Sequence, residues 1–510
     1  MPEKIIGKRA LLLLLGFALL CAFISYFFFT MSQPGYWHYM DIGSYLSRSF
    51  FAVDRGFFSE VPYWNYGYHH FPFEVYPPFF FAATAAMHGA FALAGFDSVY
   101  WGFFAAFLLS YAFAFAMVFK FSRKSALAYL LTMGNFFSLG LLVLIGFNTK
   151  IFAFNICFPA MVYLLDRRKS LSLGRKSLAG FSVLLPALFA SHFFLFIVFS
   201  VFYVGILLQN KKALLKGLIP FVFVPVLTLP YFISFFSSLS ESMSTTAVPA
   251  SLIGLSLNYY TAIFVLFIAL SIIAREWFLA PLALISALGA LNLNAVFPIL
   301  ANLELHAAAL FFLGIICYYL VNFDFIGAIT GQRTKAKAPA WVKGGKAKRA
   351  LGGFRLKPPA WLTRERALFA LLFFLLLFNF AYFPKRIEAV NLFNNPDYKA
   401  LLEYGELKGV FLVADLSGQD KFIMPYVSYQ TFNFHNYSVN DWFPVGRSYS
   451  EFRADRDKIV EAMKSNDCAE FSRMIQKMRL DTIVVKNLQG GFSCGSKTIF
   501  DAGKFKVLEV

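Results

Sequence analysis

Charged residues are scarce in this chain of 510 residues, making up 15% of it against 59% hydrophobic residues. The mean hydropathy is +0.61, and aromatic residues, with 67 Phe among them, account for 19%. A soluble domain cannot bury so much apolar surface. The composition therefore excludes an ordinary soluble protein and predicts an α-helical polytopic membrane protein.

Motifs of several common protein classes are missing. The sequence contains no GxxxxGK[ST], GxGxxG or HExxH pattern and no Cys-x-x-Cys pair. ATP-driven transport, dinucleotide chemistry and zinc chemistry therefore lack support from a motif. No internal repeat is evident either, although many transporters are built from repeated halves.

Cysteine is also rare, with five residues in the chain. Cys21, Cys157 and Cys317 fall inside apolar segments, where they are most simply small core residues. Cys468 and Cys494 are the two in the polar tail. They are candidates for a disulfide if that tail lies outside the cell, and free thiols otherwise.

The distribution of basic residues predicts the topology. The formal net charge is +18, and Lys and Arg cluster between apolar segments. Such clusters favour the cytoplasmic side and contact with anionic lipid headgroups, and they argue weakly for nucleic acid. The apolar run Ala10–Phe29 is not followed by a small-x-small cleavage site, so we interpret it as an uncleaved first helix with a cytoplasmic N-terminus.

The apolar runs predict about eleven membrane spans in a domain of residues 1–383. Counting Pro77–Phe96 as a span would place two basic loops outside, so we favour an interfacial or re-entrant helix there. The run Ala179–Leu208 is too long for one span and has basic flanks, which predicts two helices turning at Ser191 and His192. Residues 322–366 form a basic cytoplasmic loop, and residues 384–510 read as a small extracytoplasmic α/β domain.

The segment 31–98 forms the first outer loop with its juxtamembrane helix. Its part from Tyr36 to Phe80 is unusually rich in ionisable and aromatic side chains for so apolar a chain. Aromatic runs such as YWNYGYHH suit sugar stacking, and equally an interfacial aromatic belt. The ionisable residues are Asp41, Arg48, Asp54, Arg55, Glu60 and Glu74 with His38, His69 and His70.

The order of these pieces resembles the GT-C superfamily of polytopic glycosyltransferases, which take sugars from polyprenyl-phosphate carriers. The similar features are an acid soon after the first helix (Asp41), a Tyr76-Pro77-Pro78 motif before a juxtamembrane helix, the Ser191-His192 turn and an α/β tail ending in FDAGKFKVLEV. Two features depart from the pattern: Ile42 follows Asp41 where an Asp-Glu pair is common, and the tail lacks a WWDYG-like motif. Transfer to protein asparagine is therefore not expected.

The resemblance implies a donor, an acceptor and a site. The donor would be a polyprenyl-phosphate-linked sugar, and the acceptor a hydroxyl of a glycan, lipid or protein at the outer face of the cell membrane. Asp41 would be the catalytic base, with a helix cap or a salt bridge to Arg48 as its alternative role. Whether a divalent metal takes part is left open.

Transfer also requires stabilisation of the leaving phosphate. Lys150 is the first candidate, although an interfacial lysine that reaches water is an equal alternative. His306 is the second, and His192 is more typical of a hydrogen-bonded hairpin turn. Further candidates for substrate binding are Arg48, Tyr76, His69, His70 and Glu74, the last three also for a metal. A lipid or polysaccharide transporter and a non-catalytic scaffold are the competing classes.

Overall fold

The structure is a computed structural model that describes residues 7–31, 49, 53, 78–93, 99–138, 148–233, 236, 259–274, 276–290, 305–323, 364–388, 396–407, 409–416, 437–438, 447–488, 492 and 494–510. Its N-terminal part is a bundle of apolar helices, as their long apolar runs predict. In chain order they are α1 (Lys8–Met31), α2 (Phe79–Ala92), α3 (Val99–Phe121), α4 (Arg123–Ser138), α5 (Asn148–Arg167), α6 (Arg175–Phe189), α7 (Phe193–Gln209), α8 (Lys211–Leu227), α9 (Tyr259–Ala274), α10 (Ala280–Ala290), α11 (Leu305–Asn322) and α12 (Arg364–Glu388).

Within the described residues, three helical stretches are long and apolar enough to cross a membrane: Lys8–Thr30, Tyr100–Phe121 and Thr149–Arg167. Five further apolar helices are shorter: Phe79–Ala92, Phe193–Gln209, Thr261–Ala274, Trp277–Leu288 and Ala308–Asn322. Large apolar side chains such as Phe113 and Val222 are exposed on the outside of the bundle. A helical membrane protein is therefore confirmed at this level, and the count of about eleven spans stays a prediction.

The predicted helical hairpin is confirmed. Helix α6 ends at Phe189 and α7 begins at Phe193, so the turn contains Ser191 and His192. Helix α8 continues through Pro220 and Pro225, although proline usually breaks a helix, and it ends at Leu227, just before Thr228 and Pro230.

A buried hydrogen-bond network joins three central helices. The Tyr129 hydroxyl of α4 donates to Asn155 Oδ1 of α5 at 2.9 Å, and Asn155 Nδ2 donates to Ser110 Oγ of α3 at 2.8 Å. Ser110 Oγ in turn donates to the Phe107 carbonyl at 2.6 Å. Because buried polar groups are costly unless paired, this network fixes the register of α3, α4 and α5.

Ionic contacts gather at one end of the bundle, called the basic end below. There Arg9 pairs with Glu365 at 2.6 Å and Arg168 with Glu276 at 2.9 Å. The Tyr318 hydroxyl also donates to Asp166 at this end. The start of α1, the end of α5, the end of α11 and the start of α12 therefore lie together.

The C-terminal part is a small α/β unit, as predicted. Its sheet has the order β2-β1-β3-β5-β4, in which β1 is parallel to β2 and β3, while β5 is antiparallel to β3 and β4. One sheet face packs on α13 and the other on α14 and α15. The elements are α13 (Pro396–Tyr404), β1 (Val410–Asp415), β2 (Tyr437–Ser438), α14 (Arg447–Ser465), α15 (Cys468–Met478), β3 (Thr482–Lys486), β4 (Lys497–Ala502) and β5 (Phe505–Glu509).

The open question about the tail cysteines is answered by a disulfide between Cys468 and Cys494. It joins the start of α15 to the segment just before β4. Cys157 and Cys317 are free and buried, and Cys21 is free and half-buried, as their apolar surroundings predict.

Candidate functional site

The end of the bundle opposite the basic end, called the site end below, is built from helix termini. The hydroxyl of Tyr100, in the first turn of α3, donates to the Phe28 carbonyl near the end of α1. The rings of Phe28 and Phe103 lie 5.9 Å apart. Helix α1 therefore ends at the site end. It directly precedes residues 32–77, which contain Asp41 and the other loop candidates.

The start of α2 lies at the same end. The Phe79 amide donates to the Ala190 carbonyl of the α6–α7 turn at 2.8 Å. The Phe80 ring lies 5.0 Å from the Phe103 ring and 5.0 Å from the Phe152 ring. Met31 and Pro78, which flank residues 32–77, therefore lie at the same end of the bundle.

Helix α2 packs closely on the start of α3. Phe80 contacts Phe103 of α3 and Phe152 of α5, and eight residues later the His88 backbone lies against Gly102 of α3. At 14 residues, α2 is about 21 Å long.

Lys150 lies in the first turn of α5 and is 3% exposed. Its neighbours Thr149 and Ile151 are buried too. A buried ammonium requires anionic or hydrogen-bonding groups around it. The N-terminus of a helix is also positive, so Lys150 and the start of α5 together make this position suited to an anion such as phosphate.

His192 is the N-cap residue of α7. Its Nδ1 accepts a hydrogen bond from the Leu195 amide at 3.2 Å, so the neutral ring carries its proton on Nε2. This contact satisfies one of the amides that a helix start leaves without an intrahelical partner. Through its Nδ1 atom, His192 therefore has the hydrogen-bonded structural role that the hairpin sequence favours.

Aromatic side chains on both sides of the α6–α7 turn pack against aromatic residues that follow α8 in the chain. The Phe189 ring lies 5.3 Å from Tyr231 and 5.7 Å from Phe232, and the Phe193 ring lies 6.1 Å from Phe236. This aromatic cluster borders the turn that contains Ser191, whose Oγ donates to the Ala187 carbonyl at 2.6 Å. Sequence reasoning missed these aromatics, because Phe is common throughout the chain and the contact depends on how the segment after α8 packs on the turn.

His306 lies in the first turn of α11, and its side chain is outside the described residues. Helix α11 runs in the same direction as α5. Tyr318 meets Asp166 at the basic end, and a Cβ on Gly314 would lie 3.1 Å from the Phe154 ring. The first turn of α11 therefore points toward the site end.

Of the predicted site residues, the structure brings Lys150 and His192 to one end of the bundle, with the first turn of α11 directed to that end. The other candidates lie outside the described residues: Asp41, Arg48, His69, His70, Glu74 and Tyr76. Among the residues that are described, no group of three His, Cys, Asp or Glu side chains is arranged to hold a metal ion. The sequence matches no protein-family model and no curated protein.

Proposed function

We propose that this chain is a membrane glycosyltransferase that moves a sugar from a polyprenyl-phosphate carrier to a hydroxyl acceptor at the outer face of the membrane. The observation that supports this most is the convergence of helix termini at the site end. Both flanks of the segment containing Asp41, the start of α5 with Lys150, and the turn with His192 lie there. The resemblance to GT-C enzymes supplies the reaction class.

In this proposal the Asp41 carboxylate takes the proton of the acceptor hydroxyl. The hydroxyl oxygen then attacks C1 of the sugar, and the bond between C1 and the phosphate oxygen breaks. The electron pair of that bond stays on the departing lipid phosphate. Lys150 and the N-terminus of α5 stabilise that negative charge.

The position of α2 fits this reaction at a membrane surface. Its length of about 21 Å is short of the roughly 30 Å of a hydrocarbon core. A helix of this length that begins at the site end would suit the membrane interface. Apolar side chains exposed along α8, such as Val222 and Val226, offer a surface for the prenyl chain.

The test is transfer from labelled polyprenyl-phosphate sugars by the purified full-length protein, with Asp41→Asn beside the wild type. Loss of a general base lowers the rate about 10²- to 10⁴-fold, and we expect a loss in this range with donor binding retained. Lys150→Gln should weaken donor binding, whereas Lys216→Gln, which removes an exposed lysine of α8, should not. Transfer that survives in Asp41→Asn would move the base elsewhere, and absence of both transfer and binding for every donor would refute the enzyme.

A further inference from the structure

A second candidate site lies at the basic end, away from the candidate residues at the site end. A cavity of about 220 Å³ opens there between α1, α4, α11 and α12. Four cationic side chains line it, namely Arg9, Arg123, Lys124 and Arg364, with Glu365 as the single carboxylate among its lining residues. The lining therefore carries a net charge of +3.

The contacts of these cations leave most of that charge uncompensated. Arg9 pairs with Glu365 at 2.6 Å. Arg364 donates to the backbone carbonyls of Leu320 and Phe323, and Arg123 donates to the Phe119 carbonyl at 3.3 Å. Carbonyl groups satisfy donors without cancelling a charge.

Lys124 adds to this excess of positive charge. Its ammonium group makes no hydrogen bond or ion pair with any residue in the described part of the chain. Cations held this close repel one another, and an anion in the cavity would relieve that repulsion. The helices α1, α4 and α12 begin at the cavity with their positive ends, whereas α11 ends there, and Arg364 donates to the carbonyls of Leu320 and Phe323 at that negative end.

The deeper lining is apolar. Leu13, Leu127 and Leu368 are buried at the cavity, and neighbouring leucines of α1, such as Leu11 and Leu15, are exposed on the outside of the bundle. A ligand that fits both parts has a negatively charged head and an apolar tail. We propose that the cavity binds the phosphate headgroup of an anionic membrane lipid, at the end of the bundle opposite the proposed catalytic site and independently of that function.

The experiment compares the purified protein in nanodiscs of phosphatidylcholine and in nanodiscs that also contain phosphatidylglycerol, with bound lipid counted by native mass spectrometry. We expect phosphatidylglycerol to be retained by the wild type. Each of these cations would give the phosphate one charge-assisted hydrogen bond, so Lys124→Gln and Arg123→Gln should each weaken retention about tenfold. Lys169→Gln, an exposed lysine of the same end outside the cavity, is the matched control and should retain the lipid.

Two further measurements distinguish binding of a lipid from a purely structural role and from binding of free phosphate. Glu365→Gln removes the single carboxylate and should strengthen retention, a gain that a merely structural role would not produce. Inorganic phosphate should not replace the lipid, because it lacks the apolar tail. Equal retention in Lys124→Gln, Arg123→Gln and Lys169→Gln, or stabilisation by inorganic phosphate with no preference for phosphatidylglycerol, would overturn the proposal.

Discussion

At the residue scale, His192 shows how one side chain at the site end stabilises the hairpin. Its Nδ1 caps α7 through the Leu195 amide. We expect His192→Ala to lower the thermal unfolding temperature, since loss of an N-cap costs about 0.5–2 kcal/mol. His192→Asn should keep most of the stability, because asparagine is a good N-cap residue. The measurement is thermal unfolding of both variants in detergent.

Asp467 offers a comparison for the same kind of contact. Its carboxylate caps α15 by accepting a hydrogen bond from the Glu470 amide at 3.0 Å. Asp467→Ala should destabilise the tail domain by a similar amount. If His192→Asn were as unstable as His192→Ala, capping would not be the main contribution of His192.

At the element scale, the orientation of α2 depends on one glycine of α3. A Cβ on Gly102 would lie 2.7 Å from the His88 amide nitrogen and 2.8 Å from the His88 Cα. These are backbone atoms, so Gly102→Ala must displace α2, and overpacking of this kind costs about 1–3 kcal/mol. We therefore expect a lower unfolding temperature for this variant. We also expect weaker donor binding, because the Phe79 amide of α2 is hydrogen-bonded to the α6–α7 turn.

Gly89→Ala is the matched control for this prediction. Gly89 lies in α2 itself, and nothing lies within 4 Å of the Cβ that alanine would add. Alanine is favoured over glycine in a helix by up to about 1 kcal/mol, so this variant should be at least as stable as the wild type. Equal stability of the two variants would show that α2 does not approach Gly102 this closely.

Elements with a pronounced apolar pattern were predictable from the sequence, and two short polar ones were not. Helices α1 and α3 and the hairpin at Ser191 follow from run length and basic flanks. Strands β1, β3 and β5 follow from their short apolar runs. Helix α13 and strand β4 were missed, because each is short and polar; β4 is the edge strand, with Lys497 and Thr498 exposed. The close approach of α2 to Gly102 was not predictable, because a glycine reveals nothing in sequence about what approaches it.

The buried network could not be predicted for a related reason. Tyr129 and Asn155 are 26 residues apart, and Asn155 and Ser110 are 45 apart. A polar residue in an apolar run indicates that a partner is needed, and it does not indicate which partner. For the candidate site the sequence singled out Lys150 and His192, while their meeting at one end is a property of the packed bundle.

At the scale of the whole molecule, the course of helix α12 indicates at which end of the bundle the C-terminal tail begins. It begins at the basic end, where Glu365 pairs with Arg9. Leu372 then approaches Gly16 of α1, and the Phe380 ring lies 5.4 Å from the Phe23 ring. Its 25 residues span about 37 Å along the bundle.

The tail therefore follows a helix that runs from the basic end to the site end. Basic residues favour the cytoplasmic side, and a disulfide favours an oxidising compartment, so the two signals agree on the orientation. We expect a membrane-impermeant maleimide to label Lys497→Cys in intact cells and Lys169→Cys only after permeabilisation. Both positions are exposed, and Cys21, Cys157 and Cys317 would be alanine in this background. The reverse pattern would place Lys150 and the proposed phosphate-binding position in the cytoplasm, and a donor presented at the outer face would then be excluded.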